Sequence, residues 1–291
     1  MKRFIRNIIR LVLIIAGFLF IFKLPFLLGI GKDHVVFNFK AFFGGVKSDF
    51  QSLFRIKDAA YLSFFKQLNI AESYQYSITI LFFSLIFIIF MGLVFAVLVM
   101  LAPEKLRNNL KSGINFFEAV PDLLVIFLFQ FFVIMLYKKT GIKFLQLYGV
   151  FGAKPYFVPI MTVSFLPLFL LIQFLIKVIT DEQTQQYVLY AKAKGINRLR
   201  TLLIHIMRNI FPLSVLQLRT IVWVLLSNIY LVEYLFNING FTQQFFKIIS
   251  MGGDFVSLVV CLLLFSLPLV VIEAAGWTIS KLIRGKERVT I

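Results

Sequence analysis

Six stretches of this chain stay apolar for about 20 residues or more, and nothing else in the sequence constrains the fold as strongly. A helix rises about 1.5 Å per residue, so roughly 20 residues cross the hydrocarbon core of a bilayer. The stretches run from Ile8 to Leu28, Ser77 to Leu101, Phe117 to Tyr137, Tyr156 to Ile179, Leu213 to Phe236 and Phe255 to Ile279. Within a bilayer every backbone N–H and C=O must find its partner inside the chain, which a helix provides and an open sheet edge does not. The expected fold is therefore all-α: a polytopic membrane protein of about six transmembrane helices. Composition supports this, with 60% hydrophobic residues, 37 Phe and a mean hydropathy of +0.92. The first stretch is too long for a removable signal peptide and has no small-residue cleavage site, so it is expected to remain as a span.

Charge then suggests an orientation. Lys2, Arg3, Arg6 and Arg10 precede the first span, and Lys105, Arg107 and Lys111 follow the second. Lys192, Lys194, Arg198, Arg200 and Arg208 lie between the fourth and fifth, and Lys281, Arg284, Lys286 and Arg288 form the tail. With six spans these segments share one side. Cytoplasmic loops are rich in Lys and Arg, so both termini are expected in the cytoplasm, in the cell (inner, cytoplasmic) membrane. The bias is moderate, because the outer loops are basic too. The net charge of +17 invites a nucleic-acid partner. Its basic residues instead flank apolar spans, where they meet anionic lipid heads. No basic, aromatic-interleaved soluble domain stands apart to hold a nucleic acid.

No catalytic constellation emerges. The single cysteine, Cys261, falls in the last span, reads as a small hydrophobe and allows no internal disulfide. His34 and His205 lie on opposite faces in this topology and cannot share a metal. The run Gly29-Ile30-Gly31-Lys32-Asp33 has neither the spacing nor the Ser or Thr of a phosphate loop. The chain is expected to be no enzyme and to need no cofactor or metal. Uphill solute movement would draw energy from a partner or an ion gradient.

A polar island interrupts the apolar pattern between the fourth and fifth spans, in the loop 180–212. Tyr187 to Lys194 are good helix formers, Gly195 suits the position after a helical turn, and Asn197 suits an N-cap. A second helix then starts at Arg198, with Leu199, Leu202, Leu203 and Ile206 at helical spacing and Arg198, Arg200 and Arg208 off that stripe. A basic loop resting on lipid headgroups has a similar composition. A glycine corner is not needed for lipid contact, however, and favours a protein partner.

The same residues carry a family resemblance. Tyr187, Val188, Ala191, Lys192, Ala193, Lys194 and Gly195, followed by His205, Arg208 and Asn209, resemble the EAA-type loop of ABC importer permeases, most of all the peptide and nickel group. Val232-Glu233-Tyr234-Leu235-Phe236 with Gly240-Phe241 resembles that group's VExVF…PGLG stretch, and Ser77 through Gly92 to Pro121 is similar to its second and third spans. The likeness covers about Tyr76 to the C-terminus. Leu189 stands where many importer permeases carry Glu, Pro212 closes the loop about one residue early, and Asn239 replaces a proline. The PGDP-like segment outside the first span is missing. The resemblance implies two regions: 1–76, a first span with a divergent outer loop, and 77–291, a five-helix permease core.

The resemblance further implies a permease subunit of an ATP-driven importer, probable solute a peptide. Its partners would be a second permease in a heterodimer, two cytoplasmic ATPase subunits, an extracytoplasmic substrate-binding protein and membrane lipids. The island would be a coupling helix docking on an ATPase through Ala191, Lys192, Ala193, Lys194 and Gly195, with Arg198 and Arg200 beside them. A secondary transporter is the alternative from another class, though no convincing internal repeat is present. A permease-derived sensor or scaffold is a third.

Polar residues inside spans usually face a cavity or a partner. Asn228 and Glu233 are the candidates for the translocation path. Arg219 and Lys177 sit near inner ends, where snorkelling to the interface is an equal reading. Glu118 and Asp122 flank Pro121 at the expected entrance of the third span, an interfacial position. Glu273 is a candidate for gripping a companion permease. In the outer loop 29–76, Phe37, Phe39, Phe42, Phe43, Phe50 and Phe54 suggest amphipathic pieces, lying on the membrane or under a binding protein.

Overall fold

The computed structural model describes residues 16–17, 20–21, 23–24, 27–30, 35–52, 66, 69–141, 154–250 and 255–287. The chain forms two compact units: residues 1–70 with 245–264, and residues 71–244 with 265–291. In the first, β1 (Leu28–Ile30) and β2 (Val35–Phe37) pair antiparallel, with Leu28 opposite Phe37. Helix α1 (Phe39–Ser52) follows. The Asn38 side chain accepts the Ala41 N–H at 3.0 Å and so satisfies one free donor of its first turn. Phe42 is buried against the Phe20 ring, with centroids 5.7 Å apart, and Lys23 pairs with Asp49 at 3.0 Å. Phe37, Phe39, Phe43 and Phe50 are exposed, the amphipathic character expected of this loop. Phe54 lies outside the described residues, as does most of the expected first span. Among the described residues, these two short strands are the only β-structure.

Among the described residues, five helices are long and apolar enough to cross a membrane: Ile70–Leu101, Asp122–Thr140, Phe157–Glu182, Arg198–Leu235 and Phe255–Gly276. The chain is an all-α polytopic membrane protein. In order, the helices are α2 (Ile70–Leu101), α3 (Glu104–Glu118), α4 (Asp122–Thr140), α5 (Phe157–Glu182) and α6 (Gln186–Ala193). They continue with α7 (Arg198–Leu235), α8 (Phe241–Ser250) and α9 (Phe255–Glu287). The core of the second unit lies between α5 and α7, where Leu175, Ile179, Ile221, Val222 and Leu225 are fully enclosed. Gly92 lets α2 reach α5: a Cβ there would lie 2.9 Å from Leu171 Cδ2. On α4, by contrast, Phe127, Phe131 and Phe132 point outward. A helix apolar all round with one face uncovered suits contact with lipid.

Two spans differ from expectation. The stretch Phe117 to Tyr137 is not one helix. It is broken at 119–121, where Pro121 lacks an N–H and its ring disfavours helical backbone at Val120. The end of α3 packs against the middle of α5, with Phe117 stacked on Phe169 at 5.0 Å and Gln173 donating to Asn115 Oδ1 at 3.2 Å. Glu118 and Asp122 thus flank a break held beside the middle of α5, not beside its C-terminal end. Conversely, the fifth span does not begin at Leu213. Helix α7 runs unbroken through Pro212 from Arg198, over 38 residues. A proline removes one rung of the ladder without ending a helix that its neighbours support. At Thr201–Ile206 this helix widens into a π-helical turn.

Candidate functional site

The island folds as its residues suggest. Helix α6 ends at Ala193, and Gly195 turns the chain with φ +74°. Its N–H donates to Lys192 O at 2.9 Å, and the Ile196 N–H donates to Ala191 O at 3.2 Å. These bonds close the helix end, and the positive φ they require is the conformation glycine adopts without penalty. Asn197 then occupies the N-cap position of α7, through its backbone and without a side-chain bond. Tyr187 ties the corner to the membrane helices. Its hydroxyl donates to Glu182 Oε1 at 2.7 Å at the end of α5 and also meets Asn209 on α7. Burial, reinforced by the Glu182 bond, pushes the phenol up to about 12.

The corner has two faces. Val188 and Ala191 are buried against the chain itself, Ala191 with 5% of its surface exposed. Lys192, Ala193, Lys194 and Gly195 face outward, as do Arg198 and Arg200. Two large apolar residues also face outward and were not among the docking candidates: Leu189, 53% exposed, and Tyr190, 67% exposed. The signal was available, since a large apolar residue in a short polar loop has no core of its own to fill. Lys194 lies over the Tyr190 ring, 5.1 Å from its centroid. The stripe on the next helix divides as well: Leu202 and Ile206 are buried, while Leu199, Leu203 and Ile204 are exposed. Behind the corner is a cavity of about 440 Å³, reached by Val188, Lys192, Arg198 and the buried, unbonded Thr201 hydroxyl.

A second polar cluster lies at the other end of α7. Glu233 is completely buried. Its Oε1 accepts the Ser77 hydroxyl from α2. Its Oε2 accepts the Thr242 N–H at 2.9 Å and the Thr242 hydroxyl at 2.5 Å, from the first turn of α8. Its backbone oxygen accepts the Ile238 N–H and the Gln243 side chain, both at 2.9 Å. Asn228, about one and a half turns earlier on α7, reaches the Asp122 carboxyl at the α3–α4 break. Asn228 Oδ1 and Asp122 Oδ1 are buried with no hydrogen-bond partner among the described residues. Gln130 on α4 donates to Leu235 O at 3.1 Å, so α4 and α7 run side by side above this pair. Asp122 therefore stands about 10 Å from the level of Leu235 along these two helices.

Arg219 and Glu273 find each other. Arg219 Nε lies 2.7 Å from Glu273 Oε1, on the exposed surface of α7 and α9. Cys261 is buried, and the described residues hold no cluster of His, Cys, Asp and Glu suited to a metal.

No curated protein matches this sequence. A family profile does, over residues 88–276, which include the broken span, the island, and Glu233 with Thr242, though not Ser77. That match extends over more than half of the chain and describes transport components, not enzymes. The chain belongs to the binding-protein-dependent transport system inner membrane components, the membrane permeases of ABC transporters.

Proposed function

We propose that this permease serves an ATP-driven importer of the peptide and nickel group and carries a peptide. It works in the cytoplasmic membrane with both termini inside, as one half of a heterodimer. Two cytoplasmic ATPases and an extracytoplasmic binding protein complete the assembly. The observation that carries the coupling role is the outward face of the Gly195 corner. Leu189, Tyr190 and Ala193, rimmed by Lys192, Lys194, Arg198 and Arg200, form an apolar knob in a basic collar. A knob of this kind fits a groove on a partner whose rim is acidic. Tyr187 links it to α5 through Glu182 and to α7 through Asn209, so a push on the corner reaches two spans at once.

The translocation path passes Asn228 and the α3–α4 break. Interrupted helices near the membrane midplane present unbonded backbone and polar side chains to solutes in other transporters. The peptide assignment rests on the resemblance of the loop and of the Val232 to Phe241 stretch, not on any one contact. Tyr190→Asp tests the coupling role. The variant should insert normally, lose co-purification with the ATPase subunits and stop uptake. Full ATPase retention with wild-type uptake would remove the corner from the coupling path.

A further inference from the structure

We propose that Glu233 is a positioning residue for transport: a carboxyl latch. It holds the loop 236–240 and the first turn of α8 against α2, and it releases when the path opens at that end. Three segments meet on this one side chain. Ser77 is 156 positions away in sequence, and Thr242 lies beyond a tight loop. Both carboxyl oxygens are filled, and the Ser77 hydroxyl oxygen in turn accepts the Phe241 N–H at 2.8 Å. The loop is shaped to the carboxyl group. Asn237 takes φ +48°, a conformation asparagine tolerates better than most residues. Gly240 lies so close that a Cβ there would overlap the Glu233 carboxyl group.

The type of bonding argues for a latch. No Lys or Arg forms an ion pair with Glu233 among the described residues. An ion pair weakens gradually with distance, whereas hydroxyl and amide donors lose their hold within a few tenths of an ångström or a few tens of degrees. A carboxyl group stripped of such donors inside a membrane protein is costly unless water replaces them. The cluster is therefore stable when fully closed or when wetted, and unstable between. That bistability suits a gate with two states. The latch also sits at the opposite end of α7 from the Gly195 corner, on the helix that the corner would move.

The experiment uses the assembled importer in membrane vesicles, with Cys261→Ala and a reporter Ile238→Cys. Ile238 is buried beside the latch and contributes only its backbone to it. A membrane-impermeant thiol reagent is added from the outer side. Labelling should be slow at rest and speed up when a non-hydrolysable ATP analogue closes the ATPases. Glu233→Gln keeps the size of the side chain and turns one acceptor into a donor. It should raise resting labelling about tenfold, the weight of one buried hydrogen bond, and raise ATP turnover in the absence of binding protein. Thr242→Val, which keeps the N–H and loses the hydroxyl, should do the same to a smaller extent. Ser77→Ala added to Glu233→Gln should bring little further increase, because both act on one latch. Wild-type labelling and ATP turnover in an assembled Glu233→Gln importer overturn the proposal. So does failure of both Glu233→Gln and Thr242→Val to assemble, which assigns the cluster a fold-holding role alone. Labelling that ignores the ATP analogue overturns it as well.

Discussion

Gly195 and Ala191 sit four residues apart and do different things. Gly195 holds a φ of +74° and gives its N–H to Lys192. Gly195→Ala would carry a left-handed penalty of about 1–2 kcal/mol, enough to loosen the corner and reduce uptake. Gly195→Pro denies both the angle and the bond, and should abolish uptake while membrane insertion persists. Ala191 is different because it faces the chain's own core. Ala191→Glu should act by prising α6 off the membrane helices, which proteolysis would report as new cleavage inside 186–197. Tyr190→Asp, changing an outward residue, should leave that segment as resistant as wild type. Identical cleavage in the two variants would contradict this division. The corner was legible in the sequence, since a helix former run, a glycine and an N-cap residue give it directly. The facing of Ala191 was not. Helix α6 has 8 residues, about two turns, too few for a periodic pattern to mark one side.

Among the helices, continuity was what apolar counting could not read. The third span counts as one segment because its hydropathy hardly changes across Pro121, yet the backbone needs of that proline divide it. Asp122 was assigned to an interface on that account. Its neighbour Asn228 lies over a hundred positions away, so the pairing could not be read from the sequence. The fifth span erred the other way, with Pro212 taken for a boundary that α7 ignores. The polar pair between α7 and α9 was equally hidden. Arg219 and Glu273 each had a separate explanation, but they bond at 2.7 Å. Each charge has the other as its partner, so removing one leaves the other unpaired on a membrane-spanning helix. Arg219→Met should therefore lower the amount of folded permease, as should Glu273→Gln. The double variant should recover much of the loss, with a coupling of about 0.5–3 kcal/mol in a double-mutant cycle. Strictly additive losses would show that the two residues act independently.

For the molecule as a whole, the proposed topology puts Ser48 outside and Ser112 inside. Cysteines introduced there, in a Cys261→Ala background, should react with an impermeant reagent in intact cells at 48 only. Reaction at 112 would reverse the orientation. The purified chain should hydrolyse no ATP, and turnover that survives removal of every ATPase subunit would contradict its place as a transport component. The all-helical membrane fold was readable from segment length and apolarity alone. The Glu233 cluster was not, because its members are spread from Ser77 to Thr242 and only folding collects them. One consequence follows from the unbroken run of α7. Its 38 residues span about 57 Å, nearly twice a hydrocarbon core. A rod of that length, buried on one side from Leu202 to Val232, would transmit a push as a rigid tilt of the packed helices. A tilt of about 10° swings each tip by roughly 4–5 Å in opposite directions, close to one helical turn. Under the proposed coupling, force at the Arg198 tip would then be felt at the Leu235 tip. The soft place in such a beam is the π-helical turn at Thr201–Ile206, where it bends before it pivots.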